Sequence, residues 1–171
     1  MKELSLNVLD ICENSTKADA TLVEITITED EKLLEIVIKD NGVGMTPEIL
    51  SSVTNPFYTT RTTRRVGMGI PLFKLSAEQT GGRIEINSLT KSESENHGTT
   101  VRAIFYKNHI DFTPLGDVVS TLTTLIQGHP DTDFAFSHKK AAGEVTLDTR
   151  ELRDVLEGVP LSTFEVLTWI G

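Results

Sequence analysis

Hydrophobic residues along the chain follow two different periods, which divide it into predicted helices and strands. Residues 3–17 carry apolar side chains at Leu4, Val8, Ile11 and Cys12, the spacing of a helix that buries one face. The segments TLVEITIT (21–28) and LLEIVIK (33–39) instead alternate polar and apolar residues with period two. Because only the short charged turn EDEK separates them, they are predicted to form an antiparallel hairpin.

Further helices and strands are predicted in the first part of the chain. PEILSSV (47–53) has the spacing of a short helix, and GIPLFKLSAEQT (69–80) that of a longer one with Pro71 in its first turn, where proline is tolerated. GRIEINS (82–88) and TTVRAIFY (99–106) alternate as strands do. This order predicts a two-layer α/β sandwich, in which helices cover one face of a mixed sheet of about four strands.

The pattern changes at about Lys107, which divides the chain into residues 1–107 and a small α+β C-terminal region of residues 108–171. No motif in the second region assigns a role. Its apolar ending is expected to pack on this small domain, with docking to a partner or a second copy as the alternative; it comprises Leu161, Phe164, Val166, Leu167, Trp169 and Ile170. The second region contains, in chain order, a predicted helix, two predicted strands, a second helix and a capping-box pattern that starts a last helix: TPLGDVVSTLTTLIQG (113–128), DFAFSH (133–138), GEVTLD (143–148), TRELRDVLEG (149–158) and STFE (162–165).

Composition and charge are those of an ordinary globular protein. The 171 residues are 38% hydrophobic and 24% charged, and no apolar run is long enough to cross a bilayer. The net charge of −9 argues against nucleic acid as a partner, and no feature indicates a membrane partner. The single cysteine, Cys12, excludes an internal disulfide and fits the reducing cytoplasm, which is the expected location.

Three polar residues share one face of the first predicted helix. Asp10, Asn14 and Lys17 stand at positions i, i+4 and i+7, so their side chains project from the same side. Taken alone, this pattern is more typical of a solvated helix face than of a site. The alternative is a site in which the Asn14 carbonyl oxygen and phosphate oxygens bind Mg²⁺ and Lys17 contacts a phosphate as a point charge.

The segment KDNGVGM (39–45) ends a predicted strand on a carboxylate and continues with two glycines. A buried carboxylate at Asp40 could accept a hydrogen bond from the exocyclic amine of adenine, while Gly42 and Gly44 would let the backbone approach the plane of the base. A strand-exit turn explains the same residues without a ligand. A calcium loop is excluded because Gly42 falls where such loops place Asp or Asn.

The segment VGMGIP (66–71) places two glycines where a loop enters a helix. Exposed amides and the positive end of the helix dipole suit phosphate oxygens, but glycine before a helix is also common without any ligand. The preceding segment TNPFYTTRTTRRV (54–66) has neither period and is predicted to be a long loop. Its arginines, including Arg61, either close over a polyphosphate or belong to a solvated loop.

The order of these motifs along residues 3–106 resembles one family throughout. A helix with D-x-x-x-N-x-x-K is followed by a strand ending D-x-G-x-G, an N-P-F-x-T-T-R loop, a G-x-G helix start and a G-T-T-V strand. This arrangement resembles the Bergerat-fold ATPases, the GHKL superfamily of gyrase, heat-shock chaperones, histidine kinases and MutL. The layout is most similar to that of histidine-kinase-like ATPase domains, which implies the Bergerat ATP-binding fold for residues 1–107.

The resemblance implies ATP and Mg²⁺ as ligands, with Asn14 as the metal ligand and Asp10 as the general base of any catalysis. Thr99 is expected to support Asp40 and the base through its hydroxyl or a bridging water, and Phe57 to anchor the loop at 54–66 by packing. The residues expected to contact ATP are Asn14, Lys17, Asp40, Gly42, Gly44, Met45, Arg61, Gly67, Met68, Gly69, Ile70 and Thr99.

The chain departs from the family pattern at positions that bear on catalysis. Asp10 stands where hydrolysing members usually carry glutamate, so its carboxylate is one methylene shorter and reaches an attacking group best through water. Ala18 stands where histidine kinases often stack an aromatic ring on adenine, which lowers the expected affinity. The second glycine motif also lacks its first glycine.

Three functions remain open on this basis. The chain is a protein kinase that acts in trans on a phosphoacceptor in another protein, an ATP-gated switch or assembly module without catalysis, or a slow ATP hydrolase. The Asp10 side chain, one methylene shorter than glutamate, disfavours a fast ATPase and so favours a regulatory protein that acts on a partner. A second copy of the chain is an alternative partner. No phosphoacceptor histidine precedes Asp10, and the four histidines are expected to be surface residues: His97, His109, His129 and His138.

Overall fold

Six strands and five helices make up the described part of the chain, which comprises residues 3–54, 69–156 and 158–161 of the computed structural model. The strands form a single sheet in the order β3-β4-β2-β1-β5-β6. In chain order the elements are α1 (Leu4–Lys17), β1 (Leu22–Glu29), β2 (Leu33–Asp40), α2 (Pro47–Ser52), α3 (Gly69–Gln79), β3 (Arg83–Leu89), β4 (Gly98–Tyr106), α4 (Val118–Gly128), β5 (Asp133–Lys140), β6 (Gly143–Asp148) and α5 (Thr149–Leu156).

The predicted β1–β2 hairpin is present, and it lies at the centre of this sheet. The strands pair antiparallel in a register that places Ile25 opposite Ile38 and Ile27 opposite Ile36. Since successive side chains point to opposite faces of a strand, this register places the buried apolar residues of both strands on one face: Val23, Ile25, Ile27, Leu34, Ile36 and Ile38. Asp40 is the last residue of β2, so the carboxylate lies where the strand leaves the sheet.

Helices α1, α3 and α4 contribute to one hydrophobic core with the inner face of the sheet. Val8 of α1, Phe73 of α3 and Leu125 of α4 are each fully buried in that core. The outer face is polar, and Arg102 of β4 pairs there with Glu35 of β2 at 2.7 Å. The predicted two-layer α/β sandwich is confirmed. No helix within the described ranges has the length and apolar character needed to span a membrane.

The strands of the second region extend the same sheet, so the expected number of about four strands is corrected to six. β5 pairs in parallel with the free edge of β1, which places Phe134 beside Val23 and Phe136 beside Ile25. Both phenylalanines are buried in the core that the first region forms. No local pattern in the sequence indicates a parallel pairing between strands so far apart in the chain. The pairing is favourable because an unpaired β1 edge would leave backbone NH and CO groups without partners.

The segment before α4 caps the first helix of the chain. The amides of Leu4 and Ser5, which have no partner within α1, donate to the carbonyl oxygens of Pro114 at 2.9 Å and Leu115 at 2.8 Å. These residues were predicted to be helical, but α4 begins only at Val118, with the Asp117 side chain as its N-cap. The predicted last helix at 162–165 lies outside the described residues.

Candidate functional site

The polar face of α1 presents the three side chains that the sequence analysis selected. Asp10 and Lys17 are exposed and Asn14 is half-buried, while Val8 and Ile11 face the core. Ser15, the residue after Asn14, points inward and is almost fully buried. The helix therefore carries polar groups both on its open side and, through Ser15, towards the end of β2.

The Asp40 carboxylate is held by three hydrogen-bond donors. Ser15 Oγ donates to Asp40 Oδ2 at 2.6 Å, and the backbone amides of Gly42 and Thr99 donate to Oδ1 at 2.9 and 3.2 Å. These donors come from α1, from the segment after β2 and from β4, so the orientation of the carboxylate is fixed by three separate elements. A carboxylate has about four acceptor positions, which leaves one on Oδ2 for another donor.

The segment after Asp40 packs so closely that side chains are excluded from it. A β-carbon at Gly42 would lie 2.7 Å from the carbonyl oxygen of Ala18. Gly44 has a φ of +76°, and a β-carbon there would lie 2.0 Å from the carbonyl oxygen of Leu89. The two glycines thus form bare backbone next to a fixed carboxylate, an arrangement that can receive a flat ring carrying an amine.

Ser88 of β3 connects this segment to Thr99. Its hydroxyl lies 2.8 Å from Thr99 Oγ1 and accepts a hydrogen bond from the Met45 amide, also at 2.8 Å. Thr99 is expected to support Asp40 through its hydroxyl or a bridging water; in the structure its backbone amide contacts the carboxylate and its hydroxyl contacts Ser88. The register of β3 against β4 accounts for the hydroxyl contact, because Ser88 lies directly opposite Thr99.

The start of α3 lies against the polar face of α1. A β-carbon at Gly69 would be 3.0 Å from Cβ of Asp10, and Ile70 is buried beside it. The structure therefore brings one predicted phosphate-binding backbone segment next to the predicted general base. Arg61, Gly67, Met68 and Phe57 lie outside the described residues.

Asp10 has an altered acidity. Desolvation by the surrounding protein raises the pKa of its carboxyl even though the side chain keeps contact with solvent, and the positive charge of Lys17 opposes this effect. A carboxylate with a raised pKa is a better proton acceptor than an ordinary aspartate. The neighbouring Glu13 points elsewhere and pairs with His129, whose Nε2 lies 3.0 Å from both carboxylate oxygens.

The histidines are less exposed than the sequence suggested. His97, His129 and His138 are half-buried and contact Gly42, Glu13 and Glu29, respectively; only His109 is an exposed loop residue, as expected for all four. Histidines scattered along a sequence give no indication of which partners the fold will bring to them, so these three contacts could not be predicted.

The donor set on α1 fits a Mg²⁺ ion whose other ligands are phosphate oxygens and water. Within the described ranges no three His, Cys, Asp or Glu side chains cluster closely enough to hold a metal by themselves. Asn14 is half-buried on the polar face of α1, and its side-chain oxygen is of the type that Mg²⁺ binds. Mg²⁺ commonly takes one or two protein oxygens and completes its shell with substrate phosphates and water.

Sequence reasoning missed three residues that shape this region: Ser15, Ser88 and His97. Ser15 directly follows Asn14, and its inward helical position was a usable signal. Ser88 and His97 stand near the ends of neighbouring strands, and only the register of β3 against β4 brings them to the glycine segment.

The open side of this α/β sandwich carries a carboxylate at the end of a strand, a glycine segment and the start of a helix. Together these features define an ATP-binding domain of the Bergerat type. The sequence matches the family described as "Histidine kinase-, DNA gyrase B-, and HSP90-like ATPase" over residues 1–109, nearly two thirds of the chain. The chain belongs to this family, and residues 1–109 are the part that matches its ATP-binding domain.

Individual relatives agree with this assignment. The chain is 37% identical over 95 residues to the sensor protein SrrB of Staphylococcus aureus, and 26% identical over 87 residues to a putative sensor histidine kinase, NtrY-like, of Rickettsia bellii. These matches cover 52% and 50% of the chain but only 16% and 14% of the relatives, so the shared part is a single segment of much longer proteins.

Solved structures share the fold over most of the chain. The Aquifex aeolicus MutL ATPase domain complexed with ADP superimposes with a TM-score of 0.62 at 17% identity, covering 92% of this chain and 70% of that one. The N-terminal domain of a DNA repair protein gives 0.59 at 19% identity, with 86% and 53% covered. Because the first superposition extends beyond residue 109, the likeness includes part of the second region.

Proposed function

We propose that this chain is a regulatory protein that binds Mg-ATP and acts on a protein partner, either as a kinase in trans or as an ATP-gated switch. The observation that carries the binding step is the geometry of Asp40. Three donors fix its carboxylate, one acceptor position on Oδ2 stays open, and bare glycine backbone lies beside it. The adenine amine fits that open position, and the ring fits against Gly42 and Gly44.

The remaining groups suit the triphosphate. Asn14 would hold Mg²⁺, which would neutralise part of the phosphate charge, and Lys17 would contact a phosphate from the same face of α1. The backbone amides of Gly69 and Ile70, at the positive end of the α3 dipole, are the proposed phosphate donors. In this proposal residues 1–107 bind the nucleotide and residues 108–171 are a supporting region in a cytoplasmic protein.

The kinase form of this proposal places the acceptor on another protein. The similar segment of the Rickettsia protein belongs to a protein described as a sensor histidine kinase, of which this chain spans a small part. The three half-buried histidines are all engaged in contacts within the described fold, which disfavours them as phosphoacceptors. In this proposal the phosphoryl group passes from ATP bound here to a separate protein.

The binding step is tested by thermal unfolding with Asp40→Asn. The amide keeps an oxygen for the Gly42 and Thr99 amides but places a donor where the adenine amine needs an acceptor. Mg-ATP should raise the melting temperature of the wild type and of the control Asp131→Asn, an exposed residue, and leave that of Asp40→Asn unchanged. A wild-type melting temperature that does not respond to millimolar Mg-ATP would overturn the proposal.

Kinase and switch are separated by transfer of radiolabelled γ-phosphate in an extract of the host. A labelled second protein that disappears with Asn14→Ala supports the kinase. Tight ATP binding with no label on any protein supports the switch, and proteins that co-purify only with nucleotide then identify its partner.

Slow ATP hydrolysis is a second candidate, favoured by the position and acidity of Asp10. The residue faces the start of α3, and its raised pKa suits a proton acceptor. Release of free phosphate that falls at least tenfold in Asp10→Asn, with ATP affinity retained, would support this role. Phosphate release unaffected by the substitution would remove Asp10 from it.

A further inference from the structure

The peptide group between Gly42 and Val43 is hydrogen-bonded through both its carbonyl oxygen and its amide. Its carbonyl oxygen lies within hydrogen-bond distance of Nδ1 of His97, and its amide, that of Val43, donates to the carbonyl oxygen of Ala18 at 2.9 Å. The two partners come from opposite sides: Ala18 follows α1, and His97 lies in the loop between β3 and β4. The orientation of the peptide plane is therefore fixed by two residues that lie outside the glycine segment, Ala18 and His97.

The amides of Gly42 and Met45 have partners in Asp40 and Ser88, whereas the Gly42 carbonyl depends on His97. Gly42 and Gly44 have no side chains to pack, and glycine has the widest conformational freedom of any residue. Among the described contacts, only His97 supplies a side chain to the Gly42 carbonyl, which no helix or strand pairing uses. His97 is half-buried and directly precedes Gly98 and Thr99, which contact the Asp40 backbone and carboxylate.

We infer that His97 is a positioning residue of the adenine pocket, which holds the Gly42–Val43 peptide in the orientation that the base requires. The inference rests on the proposed function. A carbonyl oxygen can only accept, so Nδ1 of His97 must carry the proton, and the neutral ring is the Nδ1–H tautomer. His97 does not itself need to touch the nucleotide; it acts through the backbone beside Asp40.

The chemistry of this contact predicts which substitutions preserve it. Asparagine places an amide nitrogen at nearly the same distance from the backbone as Nδ1, so His97→Asn keeps a donor for Gly42. Glutamine places its nitrogen one bond further out, near the position of Nε2, and does not. Loss of one such hydrogen bond corresponds to a weakening of about fivefold.

The experiment measures Mg-ATP affinity by calorimetry for the wild type, His97→Ala, His97→Asn, His97→Gln and the exposed control His109→Ala. We expect His97→Ala and His97→Gln to bind about fivefold more weakly, and His97→Asn and His109→Ala to bind as the wild type does. Equal affinities for wild type and His97→Ala, or equal losses for His97→Asn and His97→Gln, would overturn the inference.

A direct reading of the tautomer completes the test. Long-range ¹⁵N NMR on the wild type should show the proton of neutral His97 on Nδ1, and a proton on Nε2 would overturn the inference without any variant. Should His97→Ala fail to fold, the contrast between His97→Asn and His97→Gln still decides. A wild type that does not bind Mg-ATP would overturn the proposed function itself, which distinguishes the two failures.

Discussion

The polar residues of α1 differ sharply in how their hydrogen-bonding groups are satisfied. Ser15 donates to Asp40, and Asp10 and Asn14 face the open side, but Asn7 is fully buried and its amide has no hydrogen-bond partner among the described residues. An unpaired buried amide costs stability because it has lost its water without gaining a substitute. Burial alone therefore does not tell which polar residues support the fold.

Asn7→Leu should make the protein more stable. The leucine removes the unpaired amide and fills a similar volume within the core, so the free energy of unfolding should rise by about 1 kcal/mol. Urea unfolding at pH 7, with an unchanged dependence on denaturant, is the measurement. A lower stability would show that the Asn7 amide has a partner in the folded protein.

Two glycines with positive φ provide a matched test of the contact behind Asp40. Gly98 has a φ of +130°, and a β-carbon there would lie 2.0 Å from the Asp40 carbonyl oxygen; Gly143 has a φ of +150° with no heavy atom within 4 Å. Both substitutions to alanine strain the backbone by about 1–3 kcal/mol, but only Gly98→Ala also displaces the end of β2.

Gly98→Ala should therefore lose more stability than Gly143→Ala and should also lose measurable ATP affinity, whereas Gly143→Ala should retain it. Thermal unfolding and calorimetry give the two quantities. Retention of full ATP affinity by Gly98→Ala would contradict the assignment of this contact to the site.

The strands of the two regions are joined by charge as well as by backbone pairing. Glu29 at the end of β1 is bound by Lys107 Nζ at 2.8 Å and by His138 Nε2 at 2.8 Å, and Lys140 lies 3.4 Å away. Burial by itself would raise the pKa of Glu29, but the hydrogen bonds from Lys107 and His138 outweigh it and lower the pKa to about 2. His138 and Lys140 belong to β5, so this cluster ties β5 to β1.

The pH dependence of this cluster follows from the direction of the shift. A carboxyl whose pKa is lower in the folded than in the unfolded protein contributes stability above its ordinary value of 4.5, and this contribution disappears as the pH falls from 4.5 towards about 2. Glu29→Gln should lower the free energy of unfolding at pH 7 by on the order of 2 kcal/mol, after allowance for solvent screening.

The difference between wild type and Glu29→Gln should shrink as the pH approaches 2, which urea titrations at several pH values would measure. Glu31→Gln, an exposed residue in the adjacent turn, is the control and should have little effect. A difference that stays constant from pH 7 to pH 2 would contradict the role of the ion pairs.

The two regions of the molecule share one core, and this determines how the protein unfolds. Phe134 of β5 and Leu125 of α4 are buried in the same cluster as Val8 of α1 and Ile25 of β1. The second region also supplies the carbonyl groups that cap α1. Separation of the regions would expose the edge of β1 and the side of α1 that packs against α4.

Phe134→Ala should accordingly destabilise the whole molecule rather than the second region alone. Loss of a fully buried phenylalanine costs about 3–5 kcal/mol. Calorimetry should show one transition at a lower temperature, and Mg-ATP should shift that same transition upward. Two separate transitions, of which ATP moves only one, would contradict a shared core; Val145→Ala, an exposed residue, is the control.

The sequence by itself determined the helices and strands, the order of the family motifs and the identity of most polar residues on the open side of the sandwich. These features are local: the period of α1 and the alternation of β1 and β2 reflect which side chains must be buried, and this can be read within one segment. The D-x-G-x-G motif likewise stands within a single strand end, so Asp40 could be selected without the fold.

Only the tertiary structure decided how distant segments meet. The parallel pairing of β5 with β1, the capping of α1 by Pro114 and Leu115, and the contacts of Ser15 and His97 with the Asp40 segment all join residues far apart in the chain. Such contacts depend on which strand edge remains free and on the register between strands. Neither is encoded in a local period, because each is chosen by the packing of the whole core.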